Sequence, residues 1–148
     1  QRRFEILKQS DSLVIVDDYG HHPVEIQATL LTAKEVWPDR RLVVIFQPHR
    51  YSRTKHLMES FFSAFNDADQ LLLLDIYSAG EEAIEGVHSQ RIAEGVKEFG
   101  HKNVEYIGGT ESVIPHLQKI LKPGDIVMAL GAGNIGELSH KLASHFND

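Results

Sequence analysis

Short apolar runs alternate along the chain with segments in which apolar residues return every three or four positions. Residues 13–16, 42–46, 70–74 and 126–130 form leucine-rich or β-branched runs that are nearly continuous, as in strands covered on both faces. Residues 2–6 and 104–107 are two further strand candidates. Helical spacing predicts a helix over 24–37, through Ile26, Leu30, Ala33 and Trp37. It predicts another over 54–65, through Leu57, Phe61, Ala64 and Phe65. A third, over 111–121, puts Val113, Ile114, Leu117, Ile120 and Leu121 on one face. Pro115 falls in its first turn, where proline is tolerated, and Lys122-Pro123-Gly124 ends it. Residues 89–99 and 135–146 complete the set of helices.

This alternation predicts an α/β fold: a doubly wound, mostly parallel sheet with helices on both faces, joined by right-handed crossovers. One domain is expected to span 1–148, without internal repeat or linker. The chain opens on Gln1 rather than Met, with strand-like residues at once, and is expected to be a piece of a longer protein.

In such sheets ligands bind in the crevice outside the carboxyl ends of the strands, so the residues after each strand carry the candidate chemistry. The first such loop is Asp17-Asp18-Tyr19-Gly20-His21-His22-Pro23. It gathers carboxylates, a phenol and two imidazoles at a helix N-terminus, a natural anion site. Turn and cap chemistry accounts for the same residues equally well, with Pro23 starting the helix. The second is Gln47-Pro48-His49-Arg50-Tyr51-Ser52-Arg53-Thr54-Lys55, a basic cluster in an acidic chain. Each arginine offers a planar fork that grips a carboxylate or phosphate through two hydrogen bonds. Cations at a helix N-terminus oppose the macrodipole, which favours an anionic ligand over a merely solvated helix start.

The third loop, from Asp75 through Glu81 and Glu82 to His88, is long and acidic, and serves as a lid or as a solvated connection. The last, Gly131-Ala132-Gly133-Asn134-Ile135-Gly136, is a literal G-x-G-x-x-G. A dinucleotide fingerprint belongs on the first βα unit, with an acidic residue about 20 positions on. Here the motif lies on the last unit, so it reads as a tight turn permitting close approach of backbone, substrate or a neighbouring domain.

Composition narrows the function classes. The chain has no cysteine, which excludes disulfides and thiolate chemistry and suits a reducing, cytoplasmic compartment. The net charge of −6 argues against sequence-independent nucleic-acid binding. No apolar run approaches the roughly 20 residues of a membrane span. There is no phosphate-cradling G-x-x-x-x-G-K-[ST], no G-x-S-x-G elbow and no H-E-x-x-H pair, so no metal site is expected on this chain.

Together the Asp17–Pro23, Phe46–Thr54 and Gly131–Gly136 stretches resemble the C-terminal domain of the Mur ligases, the alanine-adding branch of that family. Arg2-Arg3-Phe4-Glu5 and Asp75-Ile76-Tyr77-Ser78-Ala79-Gly80-Glu81 are also similar to it, so the likeness runs from end to end. The most specific piece is His49-Arg50-Tyr51-Ser52-Arg53. The resemblance implies a three-domain, cytoplasmic, ATP- and Mg-dependent ligase of peptidoglycan precursor synthesis. Such an enzyme joins L-alanine to UDP-N-acetylmuramic acid through an acyl phosphate. It implies that this domain brings the amino acid, while two absent domains bind the UDP-sugar, ATP and Mg, so that this chain alone is inactive. By position, the resemblance implies that Arg50 and Arg53 hold the alanine carboxylate and that His49 lines the same pocket. Tyr19 and His21 face the reacting centre, and Arg3 and Asp18 face ATP.

Three rival readings remain at this level. A murein peptide recycling ligase shares the Asp-Asp-x-x-His-His-Pro loop but not the His-Arg-Tyr-Ser-Arg stretch. A receiver-like signalling module matches the spacing of Asp17, Asp18 and Asp75, but has a lysine where Gly131-Ala132-Gly133 stands. The third is a binding module that captures some other small acid.

Overall fold

The computed structural model of the chain describes residues 3–146. Its sheet has six strands: β1 (Glu5–Gln9), β2 (Leu13–Asp18), β3 (Leu42–Phe46), β4 (Gln70–Leu74), β5 (Val104–Gly108) and β6 (Asp125–Leu130). Their spatial order is β1-β2-β6-β3-β4-β5. All neighbours are parallel except β1 and β2, which form an antiparallel pair at one edge. Every residue of β2, β3 and β6 is buried, which is why these strands read as unbroken apolar runs.

Helices α1 (Pro23–Val36), α2 (Tyr51–Phe61) and α3 (Ser89–Glu98) cover one face. Ile26, Leu30, Phe61, Ile92 and Val96 pack there on Val14, Val44, Phe46, Leu71 and Met128. Helices α4 (Val113–Ile120) and α5 (Ile135–His145) cover the other, with Val113, Leu117, Leu138 and Leu142 on Ile15, Val43, Ile45, Leu72 and Val127. The alternating residues of each strand thus feed two separate cores, as period-two geometry requires. Gly95 lets α3 approach α2 closely, because a Cβ there would lie 2.1 Å from the Phe62 ring.

The first predicted strand needs correction. Of the residues 2–6, only Glu5 and Ile6 are in a strand among those described; β1 begins at Glu5 and runs to Gln9, and Arg2 lies outside the described residues. Phe4 breaks the extended backbone at φ 49°, its ring stacks on Trp37 at 6.0 Å, and its N–H donates to Asp18. The helix predicted over 54–65 also shifts: α2 runs from Tyr51 to Phe61, and turns carry Phe62 to Ala68. Arg50 therefore occupies its N-cap position and Arg53 its first turn. The segment predicted over 111–121 divides into a 3-10 turn (Thr110–Ser112) and α4, with Pro115 in the first turn of α4 as expected.

The strand order excludes the receiver fold. Counted along the chain, the parallel strands lie in the order 1-5-2-3-4, whereas a receiver has 2-1-3-4-5. The last strand, β6, inserts between β2 and β3 and brings three strand-end loops side by side.

Candidate functional site

Backbone hydrogen bonds continue past the strand ends and fasten these loops together. Gln47 N–H donates to the Leu130 carbonyl at 3.0 Å, and Gly131 N–H to the Asp18 carbonyl at 3.1 Å. Tyr77 N–H reaches the Pro48 carbonyl at 2.9 Å, and Arg50 N–H the Tyr77 carbonyl at 2.8 Å. These bonds extend the sheet past its strand ends into the loops.

In the β2 loop, Asp18 is only 2% exposed. Its Oδ1 accepts the Gly20 N–H at 2.7 Å and its Oδ2 the Phe4 N–H at 2.8 Å. Sequence reasoning placed Asp18 toward ATP; here its carboxylate holds the backbone of the turn and of the segment bearing Arg3. Arg3 is half-exposed, with Nη1 3.5 Å from Glu25 Oε2. Glu25 completes a capping box on α1. His22 accepts from Val24 N–H at 3.3 Å, while Glu25 Oε1 takes the N–H groups of His21 and His22 at 3.2 and 3.1 Å. Burial alone raises the Glu25 pKa, but these two N–H groups and the charges of His21 and Arg3 outweigh it and hold the carboxyl low.

His21 Nδ1 lies 3.2 Å from the Tyr19 carbonyl. A carbonyl only accepts, so Nδ1 is the donor in this bond. The His21 ring meets Tyr19 edge-on at 5.4 Å and His49 at 5.9 Å, and His49 stacks on Tyr77 at 5.7 Å. Four rings thus line the crevice from the β2 loop to the β4 loop.

The β3 loop supplies the cations. Arg50 has φ 72° and ψ 140°, a region nearly reserved for glycine, which costs a side-chain-bearing residue of order 1–3 kcal/mol. Such strain persists only where neighbours over-determine it. Here the Arg50 N–H is held by Tyr77, and its carbonyl takes both the Thr54 N–H at 3.1 Å and the Thr54 hydroxyl at 2.7 Å. Arg53 Nη1 lies 3.1 Å from His49 Nδ1. Arginine only donates, so His49 Nδ1 accepts and the ring is neutral, with its proton on Nε2. Burial, then the charges of Arg53, His21 and Arg50, lower the His49 pKa against the opposing pull of Glu81. His49 is accordingly expected to remain mostly neutral at pH 6.5, where an unperturbed imidazole is half protonated. Ring nitrogen shifts followed by NMR through a pH titration check this, and a half-charged ring at pH 6.5 contradicts it.

The glycine turn after β6 shows the close approach its sequence suggested, made to this chain's own residues. A Cβ on Gly131 (φ 152°) would lie 2.9 Å from the Gln47 carbonyl, and one on Gly133 would lie 2.6 Å from the Tyr77 ring. Gln47 ties this turn to the basic loop: its Nε2 donates to Asn134 at 2.7 Å and its Oε1 accepts the Ile135 N–H at 3.3 Å.

Tyr19, His21, His49, Arg50 and Arg53 therefore lie together beyond the carboxyl ends of β2 and β3, with Arg3 at the edge of the β2 loop. Sequence reasoning missed Tyr77, Glu81, Gln47 and Glu25 as parts of this arrangement. For Glu25 the signal was present, as a residue three positions after a helix-capping His22.

Fold and site define a doubly wound α/β domain with a cationic, imidazole-lined crevice at the carboxyl ends of its strands. Residues 2–133 match the family model described as "Mur ligase, glutamate ligase domain", and the chain belongs to that family. It is 55% identical over 141 residues to a UDP-N-acetylmuramate–L-alanine ligase of Geotalea uraniireducens, covering 95% of this chain and 31% of that protein. Among solved structures, the UDP-N-acetylmuramate–alanine ligase MurC of Thermotoga maritima aligns with TM-score 0.75 and 29% identity over 97% of this chain and 29% of that one. A murein peptide ligase of Psychrobacter arcticus aligns with TM-score 0.79, over 100% of this chain and 31% of that one, but at 20% identity it shows the fold alone. The chain spans about a third of the length of the curated relatives it matches.

Proposed function

We propose that this chain is the amino-acid-binding domain of a UDP-N-acetylmuramate–L-alanine ligase, acting in peptidoglycan precursor synthesis. The observation that carries the reading is Arg50: a strained, half-exposed arginine one turn from Arg53 and beside two histidines. The two guanidinium forks take the carboxylate of the amino acid. His49, neutral with its Nε2 proton available, donates to the same group or to the oxygen that gains charge beside it. In a free amino acid the amine is protonated and cannot attack. The Nε2 lone pair of His21, one ring away from His49, takes that proton. Tyr19 closes edge-on against His21 and shields it from water. Holding amine and acceptor in line removes much of the entropic part of the barrier.

ATP, when bound, supplies the phosphoryl group that activates the muramoyl carboxylate. This chain has no P-loop, and its contribution toward the nucleotide is the exposed guanidinium of Arg3, anchored through Phe4 and Asp18. Among the described residues no group of three or more His, Asp or Glu side chains is placed to hold a metal ion. No described helix is long and apolar enough to cross a membrane. The UDP-sugar, most of the ATP contacts and the metal belong to the domains this chain lacks, and the cytoplasm, where the nucleotide precursors are made, is its compartment.

Phosphate release by the full-length ligase, with Mg-ATP and UDP-N-acetylmuramic acid, tests this directly. Turnover that depends on L-alanine is expected. Turnover that ignores L-alanine but responds to a muramyl tripeptide identifies a recycling ligase instead.

A further inference from the structure

Helix α2 begins badly. Its N-cap is Arg50, no side chain of its own caps it, and its first turn contains no acid. Arg50, Arg53 and Lys55 crowd the end where the helix dipole is already positive. The missing negative charge comes from the β4–α3 loop. Glu81 Oε1 accepts the Ser52 N–H at 3.0 Å, and its Oε2 accepts the Ser52 hydroxyl. The same Oε2 stands 3.9 Å from Arg50 Nη1.

The loop is built to deliver this carboxylate. Tyr77 pairs with Pro48 and Arg50 as one more step of parallel ladder. Ser78 to Glu81 then reverse direction in a tight turn, with Glu81 N–H on the Ser78 carbonyl at 3.0 Å and both Ala79 (φ 52°) and Gly80 (φ 89°) left-handed. Arg50 is thereby held from two sides, its backbone by Tyr77 and its neighbour Ser52 by Glu81.

We propose that Glu81 is a positioning residue for the amino-acid grip: it caps α2 through Ser52 and so fixes Arg50 and Arg53 to face one carboxylate. This rests on the functional reading above. The geometry separates a cap from a plug. The short bonds go to Ser52, whereas the Arg50 contact is loose and leaves that guanidinium, 45% exposed, with donors to spare for a ligand. Glu81 also offsets the mutual repulsion of the two arginines before the amino acid arrives. The Ser52 bonds, hydroxyl first and then backbone, outweigh the opposing effect of burial and, with lesser help from the Tyr51 N–H and the Arg50 charge, hold the Glu81 carboxyl low.

In the full-length ligase, Glu81→Ala is expected to raise KM for L-alanine at least tenfold while kcat stays within about threefold and KM for ATP is unchanged. Glu81→Gln keeps an acceptor for the Ser52 amide and is expected to recover most of that loss. An unchanged KM for L-alanine in Glu81→Ala, or an equal rise for ATP, overturns the proposal. The cap itself is read in this chain by NMR, without any activity. The Ser52 amide shift is expected to follow pH with a midpoint below the ordinary glutamate value, and to stop doing so in Glu81→Gln. A Ser52 amide indifferent to Glu81→Gln also overturns it. An unsubstituted ligase that ignores L-alanine overturns the functional reading, a result distinct from a normal KM in Glu81→Ala.

Discussion

Replacing Arg50 with glycine is expected to move activity and stability in opposite directions. The backbone at φ 72° and ψ 140° suits glycine, so the substitution relieves strain of order 1–3 kcal/mol. Glycine's larger conformational entropy in the unfolded chain returns roughly 0.5–1 kcal/mol of that. A net gain of about 1 kcal/mol in unfolding free energy is therefore expected by urea titration. Alanine-dependent phosphate release by the full-length ligase should fall at the same time. A charge-assisted hydrogen bond contributes about 1.5–3 kcal/mol, so losing even one such bond costs roughly ten- to a hundredfold. Combined with Arg53→Ala, the fall should be at least a hundredfold. A variant that loses stability and keeps its activity contradicts both the strain argument and the site.

Phe46→Ala is expected to be the most damaging single truncation to stability, at about 3–5 kcal/mol. Its ring is fully buried and packs on Phe61 at 5.4 Å and Phe65 at 5.2 Å, joining the sheet to α2 and to the turn that follows it. Phe46 is also the strand residue immediately before Gln47, the first residue of the basic loop. A drop below about 1 kcal/mol in urea-induced unfolding would mean that the ring does not anchor α2 as described. Phe46→Leu, which keeps most of the volume, should cost much less.

The core was legible in the sequence because it obeys simple periods. Ile26, Leu30 and Ala33 return at helical spacing and pack on the sheet, and the unbroken runs of β2, β3 and β6 are buried throughout. Strand order was not legible, since nothing in residues 125–130 says that they insert between β2 and β3. The start of β1 was misplaced because Phe4 has the side chain of a strand residue but serves as a ring stacked on Trp37.

For the site, residue types announced the cluster of Arg50, Arg53, His49 and His21, because cations at a helix start need an anion. What they could not announce was backbone. The left-handed Arg50 depends on Tyr77 and Thr54, and the Glu81 cap crosses 29 positions of sequence. Asp18 illustrates the converse. A carboxylate in a ligand loop reads as a ligand contact, yet both of its oxygens are engaged by backbone N–H groups. What it holds is the Gly20 turn and the Phe4 backbone next to Arg3.

A crystal structure of the full-length ligase with its UDP-N-acetylmuramoyl-L-alanine product shows whether one crevice grips the amino acid. The alanine carboxylate is expected within hydrogen-bond distance of both Arg50 and Arg53, with the new amide nitrogen on the side of His21. An alanine carboxylate bound away from both arginines contradicts it.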